Sequence, residues 1–242
     1  MRVIVTGAAG QIGSQLVERF SARHELCLID RNPVPGRQTV LADLANDSTR
    51  SAWMESFKGA NVVIHLAADM HTDASWESVL HNNIQATWNV IEIAATYKVA
   101  RVVFASSNWA VKAIEQQLAP ECYLPKGPKI SSHVPPCPIT TYGLSKAFGE
   151  LTGRMFVDEK RLDSFVAVRI GHYNPTPPED EHLRTRWIGV EDMQSLIRCC
   201  VEGTFKGFHV VYGVSAQSEV PYDLSHTRNL LSWEPKQLPL QY

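Results

Sequence analysis

Three residues of this chain carry side chains suited to taking a proton from an alcohol. Tyr142 and Lys146 stand four apart in Tyr142-Gly143-Leu144-Ser145-Lys146, at the start of a run with helical period over about 140–160. Residues four apart share a helix face, so the phenol and the ammonium project together. A free tyrosine ionises near about pH 10. A neighbouring ammonium favours the phenolate and draws that value down. Ser107, just past the apolar run 101–106, offers a hydroxyl that can hold an oxygen as its proton leaves. These types in this order predict general-base chemistry, with Tyr142 as base, Lys146 as its tuner and Ser107 as orienter of the reacting oxygen.

A proton acceptor of this kind completes an oxidation only beside an electron acceptor, and the opening of the chain predicts a site for one. Thr6-Gly7-Ala8-Ala9-Gly10-Gln11-Ile12-Gly13 follows the strand-like run 2–6 and enters a helical run with Ile12, Leu16, Val17 and Phe20 on one stripe. Gly7 permits a tight turn, Gly10 lets backbone approach a pyrophosphate, and Gly13 lets helix and sheet pack closely. The free amides of the helix start then face phosphates. Gln11 reaches either that pyrophosphate or the substrate. Asp30 closes the second strand, where a carboxylate accepts from ribose hydroxyls and repels a 2′-phosphate, which favours NAD over NADP. Arg31 follows it and softens that preference. Asp43-Leu44 either meets the adenine edge or, through Asp43, caps the next turn. Leu66-Ala67-Ala68 ends the fourth strand in small residues suited to backbone beneath a cofactor, and Asn83 lies on the next helix, within reach of backbone near the site. Lys146 is then also a ligand for the nicotinamide ribose.

The elements that must position these groups alternate along the chain. Apolar runs at 25–30, 39–44, 61–67, 101–106, 165–170 and 208–213 are separated in many places by helical stretches at about 49–58, 76–98, 140–160 and 190–202. This alternation predicts an α/β fold, a doubly wound parallel sheet with a small C-terminal substrate-binding part, as one domain over 1–242. Proline-rich 110–139 and the stretch 173–186 break the pattern, and loops of this length tend to be functional. Segments of about 107–141, 171–189 and 213–242 are therefore expected to face the substrate. Twenty-three basic against 25 acidic residues leave a net charge of −2, without the basic field a nucleic-acid binder needs. No apolar run is long enough for a membrane span. No signal-peptide pattern opens the chain, and five cysteines lack a C-x-x-C spacing, so reduced thiols in the cytoplasm are expected. Nine histidines form no ligand cluster, and no bound metal is expected.

TGAAGQIG, the HLAA run, FASSN and YGLSK, in this order, resemble the extended short-chain dehydrogenase/reductases, the NAD-dependent epimerase/dehydratase group, over nearly the whole chain. The resemblance implies a Rossmann fold, NAD as cofactor, Ser107, Tyr142 and Lys146 as the triad, Ile170 beside the cofactor, and a homodimer through helices 76–98 and 140–160. Within the group the chain is similar to the sugar 1-dehydrogenases, including the uronate enzymes, in Ser106-Ser107-Asn108, Val168-Arg169-Ile170-Gly171, Trp187 and Val211-Tyr212-Gly213-Val214-Ser215. That implies hydride transfer to NAD from the C1 hydroxyl of a uronate-like or other aldose, giving a lactone, or from a related cyclic alcohol. A nucleotide-sugar epimerase or dehydratase and a non-catalytic NAD sensor are the alternatives. Trp109 stands where those dehydrogenases have His, His182 where the uronate enzymes place an Arg, and Met70 where they have a small hydroxyl residue. Arg184 and Arg186 lie near His182 and offer forked donors for an anionic group, or serve as solvated loop charge. Asn108 either fixes a substrate hydroxyl or turns the chain, and Trp109 either stacks on a sugar face or packs its loop.

Overall fold

The computed structural model describes residues 1–217 and 219–239. Nine strands and nine α-helices are present among these residues. The strands are β1 (Arg2–Thr6), β2 (Glu25–Asp30), β3 (Thr39–Leu41), β4 (Val62–His65), β5 (Arg101–Ser107), β6 (Ser164–Ile170), β7 (His172–Tyr173), β8 (Trp187–Ile188) and β9 (Gly207–Gly213). The helices are α1 (Gln11–Phe20), α2 (Arg50–Met54), α3 (Trp76–Val79), α4 (Ala86–Thr96), α5 (Lys112–Leu118), α6 (Thr141–Asp158), α7 (Glu181–Arg184), α8 (Val190–Glu202) and α9 (Ser225–Leu231). Seven strands form one parallel sheet in the order β3-β2-β1-β4-β5-β6-β9. β7 and β8 pair separately beyond its carboxyl edge. The chain winds outward in one direction from β1 and in the other from β4, which leaves a crevice where the direction reverses.

The central strands are wholly buried, which explains their near-continuous Val/Ile character. α1 and α8 cover one face with Leu16, Val17 and Phe20 and with Met193, Leu196, Ile197 and Cys200. α2, α4 and α6 cover the other with Trp53, with Val90, Ile91 and Ile93, and with Phe156. A smaller cluster of Val111, Ile130, Tyr212, Val214, Val220, Tyr222 and Leu224 forms the core of the C-terminal part. α6 sits unusually close to the sheet. A Cβ on Gly149 would lie 2.3 Å from the Phe104 ring, and one on Gly153 would lie 2.4 Å from the Phe165 ring. This seating brings the start of α6 over the end of β5.

The doubly wound parallel sheet predicted from the alternation is the observed one. Two expected elements are shorter or interrupted. The strand predicted over 39–44 ends at Leu41, because the Asp43 carboxylate accepts from the Ala45 amide at 3.1 Å and turns the chain. The helix predicted over 76–98 contains a wide π-type turn at Leu80–Gln85. Three short helices, α5, α7 and α9, carried no strong period. No helix among the described residues is long and apolar enough to cross a membrane, and no three His, Cys, Asp or Glu among them could hold a metal ion. All five cysteines are free thiols.

Candidate active site

The crevice is a cleft of about 690 Å³ over the carboxyl ends of β1, β2, β4, β5 and β6. Its floor at one end is the glycine turn. Gly7 holds a left-handed φ of +71°, and a Cβ there would meet the Ala67 nitrogen at 2.6 Å. A Cβ on Gly13 would lie 2.2 Å from the Gly7 carbonyl oxygen. Gly10 is different: its Cβ would meet only the Gly7 oxygen, at 3.2 Å. Gly10 also begins α1 with no side chain capping the helix amides. Bare backbone and unspent amides at a helix start are a cradle for a diphosphate.

Asp30 joins that cradle to β2. Its Oδ2 accepts from the Ala9 amide at 2.9 Å and its Oδ1 from the Asn32 amide at 2.9 Å. Each carboxylate oxygen accepts two bonds, so acceptor capacity is left on the cleft side. Arg31 is held: its Nη2 lies 2.9 Å from Asp43 Oδ1 and 2.6 Å from Asn82 Oδ1. His81 Nε2 contacts Asp43 Oδ2 at 2.9 Å. Burial pushes Asp43 up, but the hydrogen bonds from His81 and Arg31 outweigh it and hold its carboxyl at about 2. Asp43 thus caps its turn and lines the cleft at once. Gln11, Ile12, Leu44, Leu66, Ala67, Ala68 and Ile170 line it too. Asn83 does not. It is buried, accepts from the Asp69 amide at 2.7 Å, and donates to the Asp69 carbonyl at 2.9 Å and to Ser145 Oγ at 3.0 Å. Asn83 thus reaches backbone near the site, as expected, and braces the loop after β4.

The other end of the cleft holds Ser107, Trp109, Tyr142 and Lys146. Thr140 caps α6, accepting from the Gly143 amide at 3.0 Å, and so fixes where the first turn points Tyr142. Ser107 and Tyr142 line this end of the cleft together. Lys146 Nζ donates to the Ala105 carbonyl at 2.8 Å and stands 5.6 Å from the centre of the Tyr142 ring. Burial pushes the ammonium down to about 8. The expectation that Lys146 holds the phenol partly deprotonated needs correction. Burial pushes Tyr142 up, Ser107 opposes that, and the Asp69 carboxylate adds to it. The ammonium is desolvated and donates to the Ala105 carbonyl, while a negative charge faces the phenol.

The expected substrate residues divide. Trp109 lines the cleft; Asn108, His182, Arg184 and Arg186 do not. Asn108 is buried between Ser107 and Tyr222. His182 packs edge-on against Tyr123, ring centres 4.7 Å apart. Arg184 Nη2 donates to the Glu179 carbonyl at 2.9 Å. Arg186 is buried against Glu115, with Nη1 to Oε1 at 3.0 Å. Of the segments expected to face the substrate, only Ser107, Trp109, Gly171, His172 and Tyr173 border the cleft outside α6. None of the described residues of 213–242 borders it, and residues 218 and 240–242 lie outside the described residues. Asp69, His71, Asn82 and Tyr173 line the cleft without having been singled out. Asp69 directly follows the HLAA run, and Asn82 adjoins Asn83, which is the signal that would have found them. Glu115 and Tyr222 carried none.

Tested against this geometry, a dinucleotide fits: bare amides for its diphosphate, a carboxylate with open acceptor sites for a ribose, and Tyr142 with Lys146 at the far end. Known proteins agree. Residues 3–195 match the model of the NAD dependent epimerase/dehydratase family. The chain is 32% identical over 247 residues to the NAD-dependent glucose-6-phosphate dehydrogenase of Haloferax volcanii, covering 97% of this chain and 92% of that protein. It is 33% identical over 240 residues to the uronate dehydrogenase of Agrobacterium fabrum, covering 97% and 84%. A crystal structure of a variant uronate dehydrogenase from Agrobacterium tumefaciens, complexed with NAD, superposes with a TM-score of 0.83 at 31% identity, covering 99% of this chain and 86% of that one. By its motifs, its sheet order and this match over most of its length, the chain belongs to the NAD dependent epimerase/dehydratase family.

Proposed function

We propose that this chain is an NAD-dependent dehydrogenase that oxidises the C1 hydroxyl of an aldose or uronate-like sugar to its lactone, or the hydroxyl of a related cyclic alcohol. The observation that carries the reading is convergence: Ser107, Tyr142 and Lys146 meet at one end of the same cleft whose other end is the bare glycine turn and Asp30. The glycine turn and the amides of α1 hold the diphosphate, and Asp30 holds the adenosine ribose. Lys146 holds the second ribose while its bond to Ala105 keeps it in place. NAD, when bound, supplies the acceptor for the hydride that leaves the sugar carbon. Tyr142 takes the hydroxyl proton, and Ser107 holds the oxygen as it becomes a carbonyl. Trp109 borders the site as a flat apolar wall suited to the C–H face of a pyranose.

The relatives named as sugar dehydrogenases support this reading, and the five free thiols support a reducing, cytoplasmic setting. A homodimer is part of the proposal. Trp88 on α4 and Leu144, Leu151 and Met155 on α6 present exposed apolar surface suited to a second copy. The test is reduction of NAD or NADP by uronates, aldoses and sugar phosphates, run beside Tyr142→Phe. Turnover of at least one sugar that collapses in the variant is expected. NAD binding without turnover of any sugar, or undiminished turnover in Tyr142→Phe, overturns the reading.

A further inference from the structure

The charge at the sugar end of the cleft is set by which side chains are engaged elsewhere. Among the described residues, Arg31 and Lys146 are the arginine and lysine that border the cleft. Arg31 is at the adenine side, held by Asp43 and Asn82. Lys146 is buried, donates to the Ala105 carbonyl and is the proposed ligand of the second ribose. The cations of α5 and of the stretch after β7 do not border the cleft. Arg184 donates to the Glu179 carbonyl. Lys112 and Arg186, 9% and 6% exposed, share Glu115. His172 does border the cleft; burial and the Arg186 charge hold its imidazole below the usual range, so it is neutral at neutral pH.

The sugar end is instead bordered by a carboxylate, Asp69, in the loop after β4. That loop is pinned along the first turn of α6. Asn83 bonds the Asp69 amide and carbonyl and also Ser145 Oγ, which donates to the Tyr142 carbonyl at 2.7 Å. The Thr141 hydroxyl donates to the Ala74 carbonyl at 3.4 Å. Asp69 Oδ1 accepts from the His71 amide at 3.1 Å and meets His71 Nδ1 at 2.7 Å, while Oδ2 accepts from the Ser78 hydroxyl. With two acceptor sites on each oxygen, Oδ1 is filled and Oδ2 keeps one open. Burial opposes the charge of Asp69, but these bonds hold its carboxyl below the usual range, so it is ionised.

We propose that Asp69 makes this a site for uncharged sugars: its open acceptor takes a ring hydroxyl other than the reacting one, and its charge turns away a substrate that carries a carboxylate or a phosphate. A hydroxyl donates to Oδ2 and fills its last acceptor site. An anionic group brought to the same end meets a like charge, and the cations that would offset it are engaged with Asp43, Ala105, Glu115 and Glu179. His71, when protonated, has its charge matched by Asp69 itself, at 2.7 Å. The proposal rests on the dehydrogenase reading and narrows its substrate class to neutral aldoses and cyclic polyols.

Matched sets of an aldose, its uronate and its 6-phosphate test it, each read as kcat/KM for NAD reduction at constant ionic strength. In the set used best, the neutral sugar is expected to exceed both anions by about tenfold or more. An equal or higher value for either anion overturns the proposal. Asp69→Asn keeps the shape and removes the charge. Its effect on Tyr142 is common to every substrate, so the ratio of neutral to anionic kcat/KM isolates the selectivity. That ratio is expected to fall by about fivefold or more; an unchanged ratio overturns the proposal. Should Asp69→Asn fail to fold, Met70→Arg decides. Met70 borders the cleft and is 61% exposed, so the fold does not depend on it. A guanidinium there is expected to lower the same ratio, and an unchanged ratio overturns the proposal. Absence of turnover with any sugar condemns the dehydrogenase reading. Calorimetric titration of the same sets into the NAD-saturated protein then decides this one: tighter binding of the neutral member upholds it, and tighter binding of an anion, or no binding, overturns it.

Discussion

Lys146 Nζ stands 5.6 Å from the centre of the Tyr142 ring and donates to the Ala105 carbonyl at 2.8 Å. The lysine therefore acts on the phenol through space, not as a donor to it. Tyr142→Phe is expected to lower kcat by ~10²–10⁴, the usual worth of a positioned acid–base group, with little change in melting temperature. Lys146→Met is expected to fall by a similar order and also to raise KM for NAD, since it loses both the charge and the ribose ligand. Steady-state kinetics on purified variants check both. A Lys146→Met enzyme with unchanged KM for NAD would remove the ribose role.

The glycines of the turn separate folding from binding. A methyl on Gly13 would overlap the Gly7 carbonyl, at 2.2 Å, so Gly13→Ala must displace α1 from β1. A methyl on Gly10 meets that same oxygen only at 3.2 Å. Gly13→Ala is expected to lower the melting temperature of the protein alone. Gly10→Ala is expected to leave it nearly unchanged and to weaken NAD binding tenfold or more, about 1.4 kcal/mol. Calorimetry of the protein alone and NAD titration distinguish the two.

Cofactor choice follows from Asp30 and from the commitment of Arg31 to Asp43 and Asn82. A 2′-phosphate would meet the Asp30 carboxylate while the adjacent guanidinium is already engaged. NADP is expected to show a higher KM than NAD, and Asp43→Ala, by releasing Arg31, to narrow that gap. Asp30→Ala is expected to raise KM for NAD by ~10-fold or more, because the Ala9 and Asn32 amides also lose their acceptor. KM values for both cofactors in the three proteins check this, and a wider gap in Asp43→Ala would refute it.

His65 predicts an acid limb of the stability curve. It is buried at the end of β4, with Nδ1 2.7 Å from Thr6 Oγ1 and Nε2 3.1 Å from Thr87 Oγ1. Burial, with the nearby charge of Lys146 adding to it, pushes it down from 6.5 to about 3. The folded chain keeps it neutral while the unfolded chain protonates it. Stability from this group is full above pH 6.5 and is lost as pH falls from there toward 3, at about 1.4 kcal/mol per pH unit. Denaturant midpoints against pH are expected to fall in this window even above the range where carboxylates titrate. His65→Asn is expected to flatten that part of the curve.

Most of the sheet was legible because buried parallel strands read as unbroken Val and Ile runs, and the site was legible where backbone and spacing dictate it, as in Gly7, Gly13 and the Tyr142–Lys146 pair. What failed was everything decided by a distant partner. Arg186 lies in the right loop, but Glu115 from the proline-rich stretch claims its guanidinium. Asn108 adjoins Ser107, but Tyr222 turns its amide away from the cleft. Arg169 pairs bidentately with Glu150 beneath Ser106, a contact between β6 and α6 with no local spacing to betray it. The Tyr142 ionisation was misjudged because the folded chain buries the phenol, and Asp69 from a different loop adds to that.

The wide turn Leu80–Gln85 gives two adjacent amides opposite duties. Asn82 bonds Arg31 and Ser78 at the adenine side, while Asn83 bonds Asp69 and Ser145 at the chemical end. A π-type turn holds one residue more than the helix would need, at some cost in hydrogen-bond geometry. Deleting that residue would make a better helix and detach one end of the cleft from the other. The surplus residue is thus kept for wiring, and shortening this segment gives up one of these two sets of contacts.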